Sequence, residues 1–154
     1  MGGCAAETND PTLQHVLDVC ESVALLPGPD AAADEVASLD SAIEMWNRLG
    51  QSSLSRADGG AALGLILEVR FESAAPFFHG VYDDESGVVF INHQLRDHHQ
   101  RSVTIAHELG HAFGLLHITS RSSVMNPQNL AVEPTEEDAG DLVALWGDCG
   151  VRRP

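Results

Sequence analysis

Eleven consecutive residues, His107-Glu108-Leu109-Gly110-His111-Ala112-Phe113-Gly114-Leu115-Leu116-His117, carry the densest chemistry in the chain. Residues four apart on a helix lie one above the other on the same face. His107 and His111 can therefore offer two imidazole nitrogens to one metal ion at the roughly 2.0–2.1 Å that zinc requires. Glu108 stands next to the first ligand, so its carboxylate can reach a water on the metal without binding the ion. Gly114 lets the chain leave the helix in a left-handed turn that other residues resist, and His117 can then swing back under the ion. Three neutral imidazoles leave a fourth position open to water, which marks a catalytic rather than a structural site. With this chain's His, Glu and Gly content, the five fixed positions would arise by chance on the order of once in 10⁴ such sequences. A helix with unrelated surface histidines is the weaker reading.

Further along, Ser123-Val124-Met125-Asn126-Pro127 has the form of a tight methionine turn. The extended histidine motif followed by such a turn resembles the metzincin signature. Within that group the chain is closest in pattern to the matrixins, because Pro127 follows Met125 by two residues. Astacin-like and serralysin-like members carry a tyrosine there, whereas the only tyrosine here is Tyr82. Thr135-Glu136-Glu137-Asp138, followed by Leu142, Leu145, Trp146 and Gly147, is similar to the last matrixin helix. Asp138 matches the second acidic position, which in that family buttresses the methionine turn, and Glu137 replaces the first. The resemblance spans roughly residues 31–147, and residues 107–147 carry its specific motifs. It departs at Ile118, where characterised branches have serine or aspartate, and in the lack of a match to the matrixin loops for a second zinc and for calcium. His79, His93, His98 and His99, with Asp83, Asp84 and Asp97, have no spacing that compels a second metal site, and surface histidines with turn acids are the better reading.

The resemblance implies an α+β, metzincin-like zincin fold. Its N-terminal subdomain would hold a twisted mixed sheet and two long helices, and a small irregular C-terminal subdomain would end in a helix. It also implies a zinc-dependent endopeptidase with one catalytic ion on His107, His111 and His117, and with Glu108 as general base. Met125 would lie under the ion as a floor. The substrate would be an extended peptide, laid along an edge strand formed by Phe77–Asp83 or Gly87–Asn92. Residues 126–132 would wall the specificity pocket.

The elements needed to hold these residues can be read along the chain. Residues 1–11 are small and polar and read as mobile. Residues 12–26 are ambiguous, with 20–26 either a first strand or the end of a helix, and Pro27-Gly28-Pro29-Asp30 stops whatever precedes it. Val36, Leu39, Ile43, Met45, Trp46 and Leu49 predict a helix over 31–49, ended by Gly50. Residues 51–61 read as loop. Alternation of Leu67, Val69 and Phe71 with charged neighbours predicts a strand over 63–71. Strands are also expected at 77–83 and 87–92, joined by the turn Asp84-Glu85-Ser86-Gly87. The motif helix is expected over 101–116, stopping near Gly114. Residues 124–132 are irregular, and a last helix at 135–146 carries a Thr135–Asp138 capping box with Gly147 as its stop. The expected organisation is one domain, with 1–30 as an N-terminal segment and 31–154 as the catalytic part.

The bulk numbers fit this plan. The chain has 154 residues, of which 44% are apolar, enough for one sizeable core. Its formal charge is −15, from 23 acidic and 8 basic residues, and all the basic ones are arginine. Such a field argues against nucleic acid and against adsorption to anionic lipid. The peptide or protein substrate is what the resemblance implies, and a monomer is expected. No stretch approaches the ~20 apolar residues of a membrane span. Met1-Gly2-Gly3-Cys4-Ala5-Ala6 has no basic or apolar signal region, and Gly-Gly-Cys-Ala resembles a lipoprotein processing site, with Cys4 as the lipid anchor. An ordinary free cysteine is the alternative. Cys20 and Cys149 can form a disulfide closing a loop of over a hundred residues, which suits an exported protein. Two buried thiols are the alternative. The expected location is extracytoplasmic, with the signal not present in this sequence; a cytoplasmic protein is the alternative.

Two rival functions remain at this level. One is a zinc-binding module without turnover. The other is a latent enzyme in which the first 30 residues block the cleft and Cys4 or Cys20 caps the zinc.

Overall fold

A computed structural model describes residues 13, 15–57 and 64–152. Its order is β1 (Val23–Pro27), α1 (Ala33–Asn47), β2 (Leu54–Arg56), β3 (Leu65–Glu72), β4 (Gly80–Asp83), β5 (Val88–Asn92), α2 (His98–Ala112), α3 (Glu136–Trp146) and the short α4 (Cys149–Arg152). Five strands form one mixed sheet in the order β2-β1-β3-β5-β4. All pairs are parallel except β4–β5. The fold class is therefore α+β with a mixed sheet, as expected. Cys4 and residues 1–11 lie outside the described residues.

The ambiguous run at 20–26 resolves as a strand. β1 sits between β2 and β3, and Val23 and Leu25 are wholly buried. The segment ahead of residue 31 thus contributes an interior strand of the sheet. β2 corrects the loop expected at 51–61. Three residues are too short for alternation to show, and only pairing of Leu54 with Val23 makes them a strand. The strand expected at 77–83 begins only at Gly80, because Phe78 N–H turns back to Ala75 O at 2.9 Å and Phe77 is exposed. The turn after β4 is the expected one. Gly87 N–H reaches Asp83 O at 2.8 Å with φ +68°.

α1 begins at Ala33, where Glu35 Oε1 accepts from Ala32 N–H at 2.9 Å. It lays Leu39, Ala42, Ile43, Met45 and Trp46 into the core. α2 starts three residues earlier than expected, because Asp97 accepts from Gln100 N–H at 2.9 Å and caps it. It also ends earlier, at Ala112, ahead of the left-handed Gly114. Every α2 residue from Arg101 to Ala112 is buried. Trp46 ties the two helices together, donating from Nε1 to Ala106 O at 2.9 Å and meeting the Phe113 ring edge-on at 6.3 Å between centroids. Arg101, almost wholly buried, adds bonds from its guanidinium to Ser38, Leu95 O and Asp34.

Residues 113–135 contain no helix or strand. The chain then enters α3 through the expected capping box, with Thr135 Oγ1 accepting from Asp138 N–H at 3.1 Å and Asp138 accepting from Thr135 N–H at 3.0 Å. α4 was not foreseen. It follows the disulfide between Cys20 and Cys149, which closes a sequence separation of 129.

Candidate metal centre

α2 presents His107 and His111 one turn apart, as the four-residue spacing requires. The helix ends just beyond them. Gly114 takes φ +98°, a value that side-chain-bearing residues adopt only with strain, and its N–H bonds to His111 O at 2.9 Å. Leu115 N–H bonds back to Gly110 O at 2.9 Å. This turn brings His117 against the other two. Ligand nitrogens of His107, His111 and His117 all lie within 4.8 Å of one another. His111 Nε2 and His117 Nε2 are 3.3 Å apart. Two nitrogens on a tetrahedral zinc at ~2.1 Å would be about 3.4 Å apart.

The outer nitrogens fix the ring tautomers. His107 Nδ1 lies 2.6 Å from Val124 O, and His111 Nδ1 lies 2.7 Å from Leu115 O. A carbonyl oxygen only accepts, so each Nδ1 carries the hydrogen and each Nε2 keeps its lone pair for the cluster. His107 Nε2 is buried and makes no hydrogen bond among the described residues. Such an atom fits a metal ligand whose partner is an ion. Burial, aided by the neighbouring His117, pushes the His107 pKa down to about 4. Burial and then the nearby His107 push His111 down to about 3. Both rings are therefore neutral at pH 7, the form that binds metal. Glu108 follows His107 on α2 and is wholly buried.

The floor of the cluster is built from the irregular stretch. Met125 is wholly buried, and a Cβ placed on Gly110 would collide with its sulfur. Gly110 is thus a residue the sequence reading missed. Its meaning depends on a side chain fifteen positions away, and no local pattern points to it. The turn itself is closed by polar side chains. Met125 N–H bonds to Ser123 Oγ at 2.9 Å, Ile118 N–H to Met125 O at 3.0 Å, and Asn126 N–H to Ser123 O at 3.1 Å. Asn126 Nδ2 donates to Ile118 O and Arg121 O, and Asn129 Nδ2 donates to Val124 O and Val132 O. These asparagines were legible in principle, since asparagine side chains commonly close loops on backbone groups. Pro127 stands half-buried immediately after Asn126.

Asp138 lies under this turn with no exposure. It accepts from Ser123 Oγ, from Val124 N–H at 3.0 Å, from Thr135 N–H at 3.0 Å and from Arg121 at 2.9 Å. Burial alone would raise its pKa, but these donors outweigh it and hold the carboxyl below its usual range.

The remaining candidates are placed elsewhere. His93 pairs with Glu35 at 2.8 Å, His98 meets Ser38 and Ser41, and His99 meets Glu133 at 3.1 Å. Cys20 is bonded to Cys149, which corrects the alternative in which its thiol caps the cluster. Of the two strands named as a peptide-binding edge, β5 is interior, between β3 and β4, and only β4 has a free edge.

The family model for matrixin peptidases matches residues 70–146, half of the chain. The match runs from within β3 to the end of α3 and includes all three histidines, Met125 and Asp138. No curated protein matches the chain. With the histidine cluster, its methionine floor and the last helix all inside the matched span, the chain belongs to the matrixin family of metallopeptidases.

Proposed function

We propose that this protein is a zinc-dependent endopeptidase in which His107, His111 and His117 hold the ion and Glu108 is the general base. The convergence of three ring nitrogens within 4.8 Å, two of them locked as lone-pair donors, carries the reading. A zinc ion held there supplies Lewis acidity, polarising a peptide carbonyl and making water a nucleophile near neutral pH.

The chain's own residues do the rest. Val124 O and Leu115 O hold the first two rings in the metal-binding tautomer. Glu108, next to His107 and shielded from bulk solvent, accepts the proton of the attacking water and returns it to the departing amine. A peptide adds to the free edge of β4 by main-chain hydrogen bonding, which aligns it across the cluster. Residues 126–132 form the specificity wall. A groove of about 310 Å³ also opens beside His117, between Leu115–Ile118 and Ala144–Leu145 of α3.

The Cys20–Cys149 bond supports an extracytoplasmic location, since such cross-links persist in oxidising compartments. Cys4 is the proposed lipid-anchor position, and metabolic labelling with a fatty-acid analogue tests it.

Glu108→Ala should retain one zinc per chain yet cleave casein or a peptide pool about 10²–10⁴-fold more slowly. Cleavage at the parent rate would remove Glu108 from the mechanism. A parent protein that binds zinc and cleaves nothing, with or without a chelator as control, would favour the non-catalytic module instead.

A further inference from the structure

We propose that Arg121 is a positioning residue for the metal centre, fastening the 118–126 loop to α3 so that Val124 keeps the His107 ring aimed at the ion. The inference rests on the zinc reading above.

Arg121 lies midway along the loop that leaves His117 and returns as Met125. Its guanidinium uses all three nitrogens on one face of α3. Nη1 meets Asp138 at 2.9 Å, Nη2 meets Asp141 at 2.6 Å and Nε meets Glu137 at 3.5 Å. One of only eight cations in a chain of net charge −15 is thus placed among three carboxylates that would otherwise repel one another.

The contact reaches the cluster in three steps. Asp138 Oδ1 takes the Arg121 bond while its Oδ2 accepts from Val124 N–H at 3.0 Å. The carbonyl of that same Val124 holds His107 Nδ1 at 2.6 Å. A ring so held points its opposite nitrogen in one direction, and a small shift of the acceptor swings it. Arg121 also bears on the His117 side, because its own carbonyl accepts from Asn126 Nδ2, which in turn donates to Ile118 O. A lysine cannot replace these contacts, since a single ammonium lacks the planar fork that spans several carboxylates.

The test is the zinc affinity of the whole chain, measured by competition with a chromophoric chelator, together with the melting temperature of each metal-free form. Arg121→Ala should weaken zinc binding by roughly 10-fold, the lower end for loss of a ligand-orienting contact. Arg121→Lys should fold as the parent does and recover only part of that loss. Ile91→Val, a sheet-core variant away from the centre, should leave zinc affinity unchanged even where its metal-free form melts lower. Parent-like zinc affinity in either Arg121 variant overturns the proposal. So does an equal loss in Ile91→Val, which would mark a general stability effect. A parent that binds no zinc overturns the proposed function and this inference with it, whereas a zinc-binding parent with unaffected variants overturns this inference alone.

Discussion

β1, β3 and β5 bury Val23, Leu25, Leu67, Val69, Val89 and Ile91 in one core with α1 and α2. Residues 113–135 bury far less apolar surface, chiefly Phe113, Leu115, Val124 and Met125, and take their shape from Ser123, Asn126, Asn129 and Asp138 hydrogen-bonded to the backbone. Two of the clustered histidines belong to the first region and one to the second. A helix fixes the His107–His111 distance through its own geometry, whereas the position of His117 depends on a set of polar contacts with no repeating element behind them. Hydrophobic burial is non-directional and tolerates small shifts, while hydrogen bonds lose strength steeply with angle. The cluster is therefore expected to fail first from the irregular side.

Severing the cross-link that pins α4, beyond the irregular stretch, to the entrance of the sheet should have the largest effect. Cys20→Ser with Cys149→Ser removes a cross-link over 129 positions and should cost about 5 kcal/mol in the chain-entropy model. Urea unfolding of the double variant measures it, and an unchanged midpoint would show that α4 and the sheet hold together without the bond. Asp138→Ala should follow, at about 3 kcal/mol or more, because it leaves the buried Val124 N–H and Ser123 hydroxyl of the turn without their acceptor and Arg121 without its buried partner. If a core truncation such as Leu39→Ala reduces zinc affinity as much as Asp138→Ala does, the proposed fragility of the irregular side is wrong. Gly110→Ala, at the contact between the regions, drives a methyl into the Met125 sulfur and should cost about 1–3 kcal/mol. A melting temperature equal to the parent's would mean that Met125 has room to retreat.

The effect of pH on the metal-free chain is spread over several pH units. His107 and His111 have folded-state pKa values of about 4 and about 3, below the ordinary 6.5. The unfolded chain therefore binds protons first as pH falls, and stability is lost from about pH 6.5 down through 4 and 3. The loss is about 1.4 kcal/mol per pH unit for each ring in that window. Thermal melts in chelator at pH 7 and pH 5 check it. Zinc should raise stability at each pH without flattening the profile, because a metal-bound ring takes up no proton while the unfolded chain still does. A flat profile without zinc would mean that the rings are solvated.

The contrast between the regions also explains what could be read from the sequence. The histidine spacing, Gly114, the capping box of α3 and the apolar periodicity of α1 are local patterns, and the structure shows each where it was expected. β2 is not local, since Leu54 becomes a strand residue only by pairing with Val23. Asp97 as the cap of α2 was overlooked, although its spacing to Gln100 was visible. Gly110 and Arg121 depend on Met125 and on α3, partners that periodicity cannot assign. Asp138 was legible locally as the capping-box residue, but its bonds to the methionine turn only through resemblance to a family.

The long reach of the Cys20–Cys149 bond has a consequence for biosynthesis. Cys4 stands sixteen positions ahead of Cys20, so the 4–20 pair becomes available while most of the polypeptide is still unmade. Closing that short ring is favoured over the native one by about 2 kcal/mol of loop entropy. In the proposed extracytoplasmic setting, oxidation before synthesis is complete would thus trap a mispaired species. There, reaching the native pair calls for either thiol exchange after the last helix is made or masking of Cys4, which the proposed acylation would provide.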